Sequence, residues 1–271
     1  MNFVKKNFST IILVIMFVLG LSLLLYPTIS DLYNSYHSTH VISNYGNEVS
    51  RLSRDDYDQM LQEAIQYNKD LSSDPYRWYL TDQEKEKYNS LLDINDNGLM
   101  GYINIPVINV TYPIYHGTSE VVLQTGIGHI EGSSLPVGGE STHSIISGHR
   151  GLPSARLFTD IDQLAEGDLF TITTLNEILT YEVDQIRIVL PQELTSLEIE
   201  EGKDYCTLVT CTPYGINTHR LLVRGSRIAT LDDARVGFDA LLIDEEVVAL
   251  FIGSSVLLTM FISFMLFYKK K

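Results

Sequence analysis

The chain has 271 residues, two cysteines and seven histidines, and its thiols are the side chains best suited to nucleophilic attack. Cys206 and Cys211 lie five residues apart. In an extended strand that odd interval points them to opposite faces about 17 Å apart, beyond disulfide reach. Cys206 sits inside the apolar run 205–209 and reads as a core thiol. Cys211 closes the same strand just where Thr212-Pro213-Tyr214-Gly215 turns the chain. A thiol at a strand end beside a loop is within reach of a large substrate.

A free thiol, with a pKa near 8.5, is only about 3% ionised at neutral pH, so it needs a base and a cationic neighbour. After the turn the chain returns as a second strand from His219. Antiparallel pairing about a centre near residue 215.5 makes facing positions sum to about 431, which sets Arg220 opposite Cys211. A slip of one puts His219 there instead. Among the other histidines, His37, His40, His116, His129, His143 and His149, His149 ends the strand 144–147. It is bracketed by Gly148 and Gly151, which let the backbone turn and leave the ring at a rim. His143, at the start of that strand, is its nearest rival. No second cysteine pair or histidine pair has ligand spacing, and no acidic stretch has the pattern of a calcium loop, so no metal or cofactor is expected.

The elements that must carry these residues are mostly β. From residue 100 onward, short alternating runs rich in Ile, Val, Thr and Tyr occupy 101–105, 110–115, 144–147, 169–174, 180–189, 205–210 and 220–228. With one short helical stretch near 157–164, they predict a closed barrel or a sandwich over 100–230. Residues 28–99 instead show apolar positions at helical intervals, such as Leu52, Tyr57, Met60, Leu61, Ile65 and Tyr67, and predict two amphipathic helices. Ser72, Ser73 and Pro75 interrupt that pattern, leaving Tyr76 and Trp78 with no periodic face.

The runs 8–27 and 247–268 contain no charge, and each is long enough to cross a ~30 Å hydrocarbon core. The first has no small-residue cleavage site after its long apolar core and reads as a retained anchor within 1–27. The second lies within 247–271, beyond a linker at 231–246. Lys5 and Lys6 flank one run and Lys269, Lys270 and Lys271 the other, which puts both termini in the cytoplasm and residues 28–246 outside. The whole chain has 19 basic and 34 acidic side chains, a net charge of -15. That balance excludes a general nucleic-acid binder, which needs clustered positive charge.

Thr207-Leu208-Val209-Thr210-Cys211, the turn after it and Arg220 resemble the TLxTC signature of the sortases, and Ser147-Gly148-His149-Arg150 resembles their catalytic-histidine segment. The resemblance covers roughly 100–230. It implies an eight-stranded β-barrel at the cell membrane with its catalytic domain extracellular. It also implies a cysteine transpeptidase with Cys211 as nucleophile, His149 as acid and base and Arg220 at the substrate carbonyl. The second apolar run and Asp74-Pro75-Tyr76 resemble the class C, pilus-assembling branch, whose lid precedes the barrel. By that resemblance Asp74 contacts Arg220 and Tyr76 covers Cys211, with Trp78 as the alternative cover. The implied partners are pilins or other surface proteins bearing C-terminal LPxTG-like sorting signals. The competing readings are a housekeeping sortase, a non-catalytic membrane-anchored scaffold and a plain thiol protease.

Overall fold

The computed structural model describes residues 8–230, 251–259 and 261. The expected linker at 231–246 and much of the second apolar run lie outside the described residues. Residues 251–259 are helical, and Phe261 stacks on Phe17 with ring centroids 4.2 Å apart.

The first helix, α1 (Phe8–Arg51), runs through the expected boundary at 27 and 28 with Pro27 inside it. Proline removes one hydrogen bond, but the residues beyond it keep a helical face. Ser38, Ile42, Tyr45 and Val49 recur every three or four positions and are buried. Tyr45 fastens this part of the helix to the barrel: its hydroxyl donates to the Met100 carbonyl at 2.9 Å and accepts from the Leu175 amide at 2.7 Å. Burial pushes that phenol's pKa well up. The two predicted amphipathic helices follow as α2 (Arg54–Ser72) and α3 (Asp82–Ser90). Ser53 caps α2 by accepting from the Asp56 amide, and Thr81 with Glu84 forms a capping box on α3.

Eight strands close the barrel: β1 (Leu99–Ile105), β2 (Val110–His116), β3 (Ile127–His129), β4 (Thr142–Ser147), β5 (Leu169–Thr174), β6 (Glu177–Val189), β7 (Asp204–Thr212) and β8 (His219–Ile228). Their spatial order is β1-β2-β3-β4-β7-β8-β6-β5. The β2–β3 and β4–β7 pairs are parallel and the others antiparallel. A short helix, α4 (Glu120–Thr125), precedes β3. The helix expected near 157–164 is only a 3-10 turn, Ile161–Gln163.

Alternation in β7 decides which side chains line which face. Cys206 and Leu208 belong to the main core with Ile103, Ile146, Phe170, Tyr181 and Val223, while Val209 belongs to a second cluster with Ile145, Val189, Leu197 and Leu222. Cys211, two residues beyond Val209, therefore lies on the outer face.

Two buried histidines brace this wall of the barrel. His129 Nε2 donates to the Ser134 carbonyl, which leaves Nδ1 to accept from the Tyr88 hydroxyl. His143 Nδ1 donates to the Glu198 carbonyl at 2.8 Å and Nε2 accepts from Thr207 Oγ1 at 2.7 Å. Burial lowers the first to about 3 and the second to about 4. Both folded values are depressed below 6.5, so between that pH and about 4 the unfolded chain binds protons that the folded chain refuses. Stability must therefore fall as pH falls through that window, by about 1.4 kcal/mol per unit for each histidine. We expect the urea midpoint of the full chain in detergent to drop from pH 7 to pH 5, and His143→Gln to lessen the slope. An unchanged slope in the variant would contradict this assignment.

Candidate active site

Cys211 and Arg220 face each other across the β7–β8 hairpin, and His219 pairs with Thr212. Every pair in this hairpin follows the register that the turn dictates, with no slip. The partnership with His149 comes from the other side of β7. In the parallel β4–β7 pair each β4 residue lies beside the residue 62 positions later, ending with Ser147 beside Val209. The same offset continues past the strand. The Gly148 amide donates to the Val209 carbonyl at 3.1 Å, Thr210 Oγ1 donates to the Gly148 carbonyl at 2.7 Å, and Arg150 Nη1 donates to Thr212 Oγ1 at 3.2 Å. His149 is thereby locked level with Cys211. The row His149, Cys211, Arg220 spans two strand spacings, or about 10 Å.

Several contacts hold the His149 loop in that position. The Phe158 amide donates to the His149 carbonyl at 3.1 Å, and Arg150 pairs with Asp162. Gly151 has φ +76°, and a Cβ there would lie 2.7 Å from the Tyr214 ring, so this loop abuts the β7–β8 turn. His149 Nε2 is shielded from solvent and has no hydrogen-bond partner among the described residues, while Glu120 Oε1 stands 3.8 Å away. That distance is too long for a hydrogen bond. Arg220 Nη1 donates to the carbonyls of Asn217 and His219. Its Nε and Nη2 have no protein partner among the described residues and remain available as donors.

His143, the rival base, is excluded by its placement. It is 1% exposed, with both ring nitrogens engaged on the Glu198 carbonyl and Thr207. Cys206 is 0% exposed and burial pushes its thiol pKa well up, whereas Cys211 is partly exposed and free.

The segment before α3 differs from expectation. Asp74 makes no ion pair with Arg220: its Oδ1 accepts from the Tyr76 amide at 2.8 Å. Tyr76 is 74% exposed. Trp78 is the aromatic packed on the barrel, against the cluster containing Val209 and Leu222, which share the outer face with Cys211 and Arg220. Glu120 carries no signal in the sequence of its place beside His149, and the bonds of Arg150 to Thr212 and Asp162 are likewise made only once distant segments meet.

The Sortase domain family model matches residues 103–228. Sortase C1 of Streptococcus agalactiae is 57% identical, with a TM-score of 0.69 over 70% of this chain and 99% of that one. Sortase C of Streptococcus pneumoniae, whose structure bears on pilin substrate specificity, is 42% identical with a TM-score of 0.64 over 70% and 97%. Sortase C of Clostridium perfringens, determined with the C-terminal cell wall sorting motif, is 43% identical with a TM-score of 0.60 over 70% and 99%. Among curated sequences, sortase A of Streptococcus agalactiae is 24% identical over 86% of this chain and 90% of its own length.

The two thiols provide a direct check on these placements. Iodoacetamide on the native chain should modify Cys211 about 100-fold faster than Cys206, read by peptide mass spectrometry. Equal rates would contradict the assignment of the two cysteines to opposite faces.

Proposed function

The chain belongs to the sortase family of cysteine transpeptidases, among its class C members, and from that premise we propose that it polymerises pilins by way of a thioester on Cys211. The observation that carries the proposal is the row His149, Cys211, Arg220, set by two independent strand registers.

In this reading Cys211 Sγ attacks the threonine carbonyl of an LPxTG-like signal, forming a C–S bond and a tetrahedral oxyanion. Arg220 cannot act as a base, since it stays protonated, and its free donors suit that oxyanion. Collapse breaks the Thr–Gly bond, and His149 gives its proton to the leaving glycine amine. A lysine amine of the next subunit then attacks the thioester and yields its proton to His149. The C–S bond breaks, an amide forms and the thiolate returns.

Support for the class C branch comes from structures of that class at 42% and 57% identity, and for a sorting-signal substrate from the relative solved with such a motif. The apolar start of α1 suits a membrane anchor. With the second apolar run as another span and the terminal lysines inside, the barrel would work on the outer surface. The lid role passes from Tyr76 to Trp78, with Asp74 shaping the turn before it.

Incubating the full chain with an LPxTG peptide should yield a Cys211 thioester detectable by mass spectrometry, and a lysine peptide should convert it to an amide. Cys211→Ala should abolish both. Arg220→Lys, which loses the fork, should lower kcat by about 100-fold. Arg150→Ala should lower kcat/KM by about 10–100-fold through a displaced His149. Full turnover in Cys211→Ala would remove Cys211 as the nucleophile, and no thioester or amide product from the native chain would leave only a scaffold role for this domain.

A further inference from the structure

The segment 73–79 lies on the barrel with its two tyrosines turned outward: Tyr76 is 74% and Tyr79 82% exposed. Between them Arg77 is 5% exposed, an unusual place for a guanidinium on a surface segment. Its Nη1 donates to the Gly132 carbonyl at 3.0 Å, and its Nη2 donates to the Leu197 carbonyl and to Glu198 Oε2, each at 3.0 Å. Its charged head also lies 4.2 Å from the centroid of the Trp78 ring. Among the described residues, every hydrogen bond from 73–79 to the barrel is made by Arg77.

The receiving surface is shaped for this contact. Gly132, in the β3–β4 turn, has φ +82°, and a Cβ there would lie 2.2 Å from the Arg77 carbonyl oxygen and 3.2 Å from the Trp78 ring. The backbone of the segment thus occupies the space that any other residue at 132 would fill. Leu197 and Glu198 belong to the connection between β6 and β7. Leu197 packs in the same outer cluster as Val209, Leu222 and Trp78.

We propose that Arg77 is the latch of this segment: a positioning residue that holds Trp78 over the outer face beside Cys211 and binds the segment to the β6–β7 connection, so that the two open together. The proposal rests on Cys211 as the nucleophile only for its purpose, because the latch itself is read by access to the thiol and not by turnover. A planar fork is required, since three acceptors in two different loops must be met at once.

The test uses the full chain in detergent, with iodoacetamide labelling of Cys211 and hydrogen exchange of the amides around 195–198. Arg77→Ala should speed labelling about tenfold or more, and exchange at 195–198 should rise although those residues are untouched. Tyr79→Ala should leave both unchanged. If Arg77→Ala fails to fold, Arg77→Lys serves, because it keeps the charge and loses the fork, and it should give the same changes in smaller measure. Labelling and exchange at the native rate in a folded Arg77 variant would overturn the latch, whether or not the thioester forms. Faster labelling with unaltered exchange at 195–198 would equally overturn it, because the two parts would not then move together.

Discussion

Parallel pairing of β4 with β7 is the constraint on which the site depends. It fixes a constant offset of 62 residues, and side-chain and backbone hydrogen bonds carry that offset beyond the end of β4 to Arg150 and Thr212. A one-residue slip would turn His149 away from Cys211, because neighbouring positions project to opposite faces. The hairpin from β7 to β8 supplies the other half of the row. The barrel core secures both, since Cys206, Leu208 and Val223 fill the inside of the strands whose outer faces carry the chemistry.

This division of labour explains why the two cysteines differ so sharply. One thiol is buried among apolar side chains that disfavour its anion, and the other stands at a strand end beside a guanidinium and a free ring nitrogen. The same logic separates His143 from His149. His143 is spent on bracing Glu198 and Thr207, and a ring so engaged in the core has neither access nor a free nitrogen.

Much of this was legible in the residues themselves. The pairing of Cys211 with Arg220 follows from a short connection, because a local turn leaves little freedom in register. Strand β3 was invisible, being only three residues long, containing a glycine and pairing in parallel with a partner across α4. The continuity of α1 was hidden by Pro27, whose lost hydrogen bond did not outweigh the buried face formed by Ile42, Tyr45 and Val49. The choice between Tyr76 and Trp78 stayed open in the sequence for a different reason. Which of Tyr76 and Trp78 turns inward depends on where Arg77 finds its acceptors, and those acceptors lie 55 to 121 residues away in sequence.

The central claim is that residue 149 lies beside the nucleophile by extension of the β4–β7 register, and a cross-link measures it most directly. Two such positions should have Cα atoms about 5 Å apart, within disulfide range. His149→Cys, mildly oxidised in the full chain, should give a peptide joining positions 149 and 211. If both thiols of the folded variant stay free and open to alkylation, the register does not extend past Ser147 and the account fails.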